Sequence, residues 1–165
     1  MTHWKKMLLQ RRSALMGLVL VGFVLTAALG AGWFARFTPD EMDVTNRLLA
    51  PSWEHLMGTD EFGRDLLARV LYGARNSLIV AFFIVVAAVG MGLVFGLMAG
   101  SSPRLDTVIM RILDGLMAFP GIVLAIAMMG AMGPSMLNVI VALGIVYTPR
   151  VARVVRSFIL TVRES

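Results

Sequence analysis

The densest group of residues able to do chemistry lies between His55 and Leu78 and reads H-L-M-G-T-D-E-F-G-R-D-L-L-A-R-V-L-Y-G-A-R-N-S-L. Asp60 and Asp65 supply carboxylates, and Arg64, Arg69 and Arg75 supply guanidiniums. The chemistry open to this set is ion pairing and capping. Asp60 can cap a following helix start, and Arg64 or Asp65 can pair with neighbouring charges. Gly58 and Gly63 permit a turn with positive φ. Taken alone, these residues describe a capped helix at an interface.

Other reactive groupings are sparse. The chain has no cysteine, which removes disulfide and thiol chemistry. His3 and His55 lie far apart and have no ligand-like neighbours, so no metal site is expected. No G-x-x-x-x-G-K-[ST] occurs, so ATP hydrolysis is expected in a different chain, and no catalytic residue or cofactor site is predicted. Arg111 and Asp114, three apart, predict a local ion pair at a membrane boundary rather than a proton relay.

The elements that carry these residues follow from composition. Of 165 residues 58% are hydrophobic and only 15% charged, against about a quarter charged in a soluble domain. A surface that apolar requires lipid. The net charge of +5 sits at the ends of apolar runs, a pattern of membrane topology and not of nucleic-acid binding. The predicted fold class is all-α: a polytopic transmembrane helix bundle with about four spans.

The first span covers residues 14–35. Ala28-Leu29-Gly30-Ala31 looks cleavable, but the run exceeds the roughly 7–15 residues of a signal peptide, so an uncleaved anchor is expected. Residues 36–76 hold seven acids and five arginines, with Pro39 and Pro51 as breakers, and read as a water-facing connection with an interfacial helix. The second span is residues 77–100, where Gly92, Gly96 and Gly100 share one face and predict close helix packing. A polar link at 101–114, with Pro103 as breaker, leads to a third span at about 109–132. Within it Pro120 predicts a kink, either static or a moving hinge. Gly133-Pro134-Ser135 reads as a turn. A fourth span starts near Met136 and continues past Arg150, Arg153 and Arg156, with a re-entrant hairpin as the alternative. The expected organisation is residues 1–35 as basic terminus and anchor, 36–76 as extracytoplasmic connection, and 77–165 as spans two to four.

Lys and Arg number four before the first span, two in the 101–114 link and four from Arg150 onward. The five in 36–76 are outnumbered by acids. By the positive-inside rule the amino terminus, the link and the tail are cytoplasmic. Four crossings return the chain to its starting side, in agreement with the basic tail.

The segment G-T-D-x-x-G-R-D followed by L-x-R-x-x-Y-G-A-R-x-S-L resembles the signature before the second span in C-type permease subunits of dipeptide and oligopeptide ABC importers. Nickel and glutathione importers are similar here. Gly58, Thr59, Asp60, Gly63, Arg64, Asp65, Arg69, Tyr72, Gly73, Ala74, Arg75, Ser77 and Leu78 match the pattern. Later matches follow in order: G-L-x-x-G from Gly92, R-x-x-D at Arg111, Phe119-Pro120, Gly133-Pro134-Ser135, and Y-x-P-R-x-A-R-x-V-R from Tyr147.

The resemblance implies a six-span permease of the bacterial cytoplasmic (inner) membrane that forms part of a translocation path. Its implied partners are a second permease, two ATP-binding subunits and an extracytoplasmic substrate-binding protein, all working in membrane lipid. In that family a segment like Val162-Arg163-Glu164 leads into an E-A-A coupling loop and two further spans. This sequence stops at Ser165, and a fragment or a truncated product is expected. The rival readings are a degenerate, non-transporting membrane protein acting at a partner's interface, and an independent secondary carrier.

Overall fold

A computed structural model describes residues 12–163, and every helix among them is α or 3-10. The only β feature among these residues is one isolated bridge, Thr59 with Asp65. This is the all-α polytopic fold that the composition requires. Lys5, Lys6, Arg11 and His3 lie outside the described residues. The chain divides into two compact units, residues 1–78 and 79–165.

The first unit opens with α1, Arg12–Leu29, an apolar helix of 18 residues. At 1.5 Å per residue it is about 27 Å long, close to the roughly 30 Å of a bilayer core. The Thr26 hydroxyl donates back to the Gly22 and Phe23 carbonyls, so its polar atom is satisfied within the helix. A short helix α2, Ala31–Phe34, follows, then a loop with a 3-10 turn at Val44–Asn46.

Next comes α3, Leu66–Ser101, of 36 residues. The sequence predicts an interfacial helix that stops before a separate span at residue 77. The structure contains one uninterrupted helix instead. No proline interrupts the run from Leu66 to Ser77, and the helix propagates through Gly73, Asn76 and Ser77 into the apolar stretch that follows.

In the second unit α4, Pro103–Met117, starts after a single non-helical residue, Ser102. The polar link expected at 101–114 is therefore mostly helix. Pro103 acts as a starter: at the first helical position its missing N–H is no loss and its fixed φ suits the helix. The third span expected at about 109–132 is broken where Pro120 predicts a kink. α4 stops at Met117, α5 covers Gly121–Met132, and the two are bent by 89° across residues 118–120. Pro120 offers no N–H to the preceding turn and disfavours helical backbone at Phe119.

Gly133, at φ +84°, turns the chain into α6, Met136–Arg163. Ser135 caps this helix by accepting the Asn138 N–H at 3.1 Å, and the Asn138 amide donates to the Met132 and Gly133 carbonyls. α6 continues through Pro149, whose ring is fully buried.

The direction of α6 bears on how the chain passes through 102–135. Gly92, Gly96 and Gly100 of α3 face Val151, Val155 and Ile159 of α6 in that order, so the two helices are parallel and end side by side. The start of α6 lies about 40 Å back along its axis. The segment between carries the chain back towards that start, and α4 with α5, bent by 89°, is apolar enough for one broken span or a re-entrant loop. The buried positions are mostly small, Ala88, Ala99, Ala125, Ala142 and Ala152 among them, while Phe82, Val94, Ile122 and Ile126 face outward. That is the pattern of helices packed through small residues and dissolved in hydrocarbon.

Candidate functional site

The charged signature folds into a compact polar knot ahead of α3. Asp60 is its organiser. Its carboxylate accepts the backbone N–H groups of Phe62 at 2.8 Å and Arg64 at 3.0 Å, then the Arg64 Nε at 2.8 Å and the Arg69 guanidinium. Burial works against its ionisation, but the Arg64 and Phe62 N–H donations and the two guanidiniums outweigh it. They hold the carboxyl well below its ordinary range. Asp60 thus closes a turn and does not cap the helix, as the sequence had suggested. The cap is Asp65, which directly precedes Leu66 and accepts the Ala68 N–H at 2.9 Å.

The other Asp65 oxygen meets His55 Nδ1 at 3.2 Å, and both residues are buried. The His55 ring stacks on Phe37 with centroids 4.7 Å apart. Thr59, also buried, donates to the Asn46 carbonyl and accepts the Leu49 N–H at 2.8 Å. Gly58 and Gly63 both have φ +76°. A Cβ at Gly63 would collide with the Asp43 carbonyl, and one at Gly58 with that of Leu49. The structure therefore brings together Gly58, Thr59, Asp60, Gly63, Arg64 and Asp65. Arg75 stands apart, exposed on α3 and in no ion pair among the described residues. His55 and Phe37 were missed because no short-range spacing rule ties them to a cap ten or more residues later.

The second constellation is the α3–α6 seam. Added Cβ atoms would lie 2.5 Å from Val151 Cβ at Gly92, 2.7 Å from Val155 Cβ at Gly96 and 2.9 Å from Ile159 Cβ at Gly100. The backbones thus touch where only hydrogen fits. Arg163 donates to the Gly100 carbonyl at 2.8 Å and the Ser101 carbonyl at 3.2 Å, occupying acceptors left open at the end of α3. Two ion pairs join α4 to α6: Asp106 with Arg156, in a two-pronged pair, and Asp114 with Arg153 at 2.7 Å. The local Arg111–Asp114 pair expected from sequence is replaced by this longer-range one. An Arg that precedes its acid on a helix is the weaker orientation, and α6 presents a better-placed guanidinium. No three His, Cys, Asp or Glu side chains among the described residues converge in a metal-binding geometry.

Both constellations are held by ion pairs, caps and close backbone contacts, and similarity to known proteins gives them context. Residues 3–51 match the family described as the N-terminal TM domain of oligopeptide transport permease C. Residues 92–165 match the family of binding-protein-dependent transport system inner membrane components. The chain belongs to the C-type permease family of these transport systems.

Among its relatives, a Brucella suis protein provisionally named a peptide transport system permease is 46% identical over 158 residues, 96% of this chain. The dipeptide transport system permease protein of Alkalihalophilus pseudofirmus is 42% identical over 160 residues. The nickel transport system permease protein of Escherichia coli is 33% identical over 155 residues. The chain spans about half the length of these curated relatives, 53% of the first two and 56% of the third. The knot motif falls between the two matched family segments.

Proposed function

We propose that this chain forms part of the transmembrane path of an ATP-driven, binding-protein-dependent importer of di- or oligopeptides. The observation that carries this reading is the 46% and 42% identity, along 96% of the chain, to proteins named as peptide and dipeptide transport permeases. Similarity sustained through spans, turns and knot favours a working transport subunit over a non-transporting paralogue. ATP hydrolysis belongs to two separate ATP-binding subunits. The remaining partners are a second permease and an extracytoplasmic substrate-binding protein.

The charge distribution sets the orientation. The amino terminus, the 101–114 region and the Arg150–Arg163 end face the cytoplasm, and the knot of residues 36–65 faces outward. Because the chain has no cysteine, single-cysteine labelling in sealed cells tests this directly. Ser52→Cys should react with an impermeant maleimide from outside, and Ser102→Cys only after the membrane is opened. The reverse pattern refutes the orientation.

Function is tested by uptake of a labelled dipeptide into vesicles that hold the full permease with its partner subunits. Uptake should require both ATP and the binding protein, and should vanish when this subunit is omitted. Uptake that persists without ATP would mean a secondary carrier, and uptake that persists without this subunit would remove it from the path.

A further inference from the structure

We propose that Trp33 and Trp53 anchor the polar knot in the headgroup layer of the membrane, so that the knot lies against the bilayer instead of standing off in water. Both side chains are 91% exposed, more than any other large hydrophobic residue among those described. Neither indole N–H has a hydrogen-bond partner among the described residues. An indole combines a large apolar body with a single N–H donor, and it suits a boundary that is dry on one side and wet on the other.

The chain places Trp33 at that boundary. α1 exposes Met16, Leu18, Val19 and Val21, which point round its whole circumference, and a helix apolar on all sides is a membrane span. Gly30 donates to the Thr26 carbonyl and Phe34 to the Gly30 carbonyl, both at 2.9 Å, so helical bonding carries on from α1 into α2. From residue 12 to Trp33 is then about 31 Å at the helical rise, close to the roughly 30 Å of the hydrocarbon layer. With the start of α1 at one edge of that layer, Trp33 lies at the other.

Trp53 is returned to the same level by its neighbours. The Arg36 guanidinium, three residues beyond Trp33, donates to the Trp53 carbonyl at 3.1 Å, so the two segments are one side chain apart. Phe34, Arg36 and Leu56 line one small cavity, a second tie between α2 and the loop that carries Trp53. Phe34 and Leu56 are themselves more than half exposed, which extends the apolar patch around the indoles. Depth selects lipid as the occupant. The patch continues the apolar surface of α1 at the point where that helix leaves the hydrocarbon, and the exposed Arg36 in its midst suits lipid phosphates.

The test measures depth by nickel relaxation of a spin label, in the full permease assembled with its partner subunits in vesicles and otherwise free of cysteine. The label is placed by Glu54→Cys, next to Trp53 at an exposed residue with no hydrogen-bond partner among those described. Nickel chelated to lipid headgroups should relax the label strongly. Trp53→Ser should cut that effect several-fold while a water-soluble nickel chelate gains access, and Trp33→Ser should act in the same direction. Trp53→Tyr keeps an interfacial aromatic and should retain the parental response, which separates anchoring from a general loss of structure. Relaxation by the soluble chelate alone would mean that the knot stands in water, and relaxation by neither would mean that protein covers the indoles. A response to lipid-held nickel that survives both serine variants would mean that other groups hold the knot down. Each of those three results overturns the proposal. None of these measurements depends on transport, so they stand apart from the importer reading.

Discussion

Glycine does two different jobs in the polar knot and in the α3–α6 seam, and the contrast shows what each solvent demands. In the knot, Gly58 and Gly63 adopt φ +76° and press against carbonyls, so both their backbone freedom and their lack of a side chain are used. In the seam, Gly92, Gly96 and Gly100 are ordinary helical residues, and only the missing side chain matters. The knot mixes exposed hydrogen bonds, for which water competes, with buried ones at His55, Thr59 and Asp65, so the fold there depends on saturated carboxylates such as Asp60 and Asp65. Hydrocarbon competes for none, the helices satisfy their own backbones, and contact area decides association.

The sharpest way to break this contrast is Gly63→Ala. A non-glycine residue at that φ costs about 1–3 kcal/mol, and the collision with the Asp43 carbonyl adds to it. The knot should open to protease between residues 36 and 65, and assembled permease should fall several-fold. Gly73→Ala is the matched control. It lies in α3 with open space around it, and Ala there should leave yield and melting unchanged or slightly improved. Equal loss from both variants would show that the knot has no special backbone demand.

Second in size is Gly96→Leu. The seam offers no volume beside Val155 and the Ala152 carbonyl, so the helices must separate, at a cost of about 1–3 kcal/mol. Gly90→Leu, with nothing nearby, should be silent by the same measurement, the melting temperature of the permease in detergent. If both melt alike, α3 and α6 do not pack through this face.

How far each region was readable from sequence follows the same division. The Gly92, Gly96 and Gly100 face and the turn at Gly133 are short-range patterns, and such patterns survive into the fold. The partners are long-range: His55 is ten residues from Asp65, Asp114 is 39 from Arg153, and Asp106 is 50 from Arg156. No periodicity encodes those pairs: the first depends on how the knot loop folds back, and the other two on how α4 packs against α6. Pro103 shows a further limit. A proline reads equally as a breaker or a starter, and only the capping geometry around Ser102 decides between them.

The α4–α6 ion pairs lie between the two regimes. Asp114 and Arg153 are half exposed, so Arg153→Ala should lower the melting temperature by the equivalent of only about 0.2–1 kcal/mol. Arg156 grips Asp106 with both prongs in a more sheltered position, so Arg156→Ala should cost more than Arg153→Ala. The exchange Asp106→Arg with Arg156→Asp should recover most of the loss. Failure of the exchange would mean that the residues matter through packing and not through charge.

The smallest effect expected is a dependence of the knot on acid. Asp60 is held below its ordinary value of 3.8, so the folded state favours its ionised form. A depressed carboxylate contributes stability that is complete above the unfolded value and is lost as protons bind below it. Hydrogen-exchange protection at Leu48 and Gly63, whose N–H groups donate to the Asp60 carbonyl, should therefore be flat from pH 7 to about pH 5 and decline below roughly pH 4. In Asp60→Asn, protection should be lower at neutral pH and its acid decline shallower, because Asn carries no charge for the arginines to hold. A decline that begins well above pH 5 in the parent chain would mean that another group controls the knot, and the organising role assigned to Asp60 would fail.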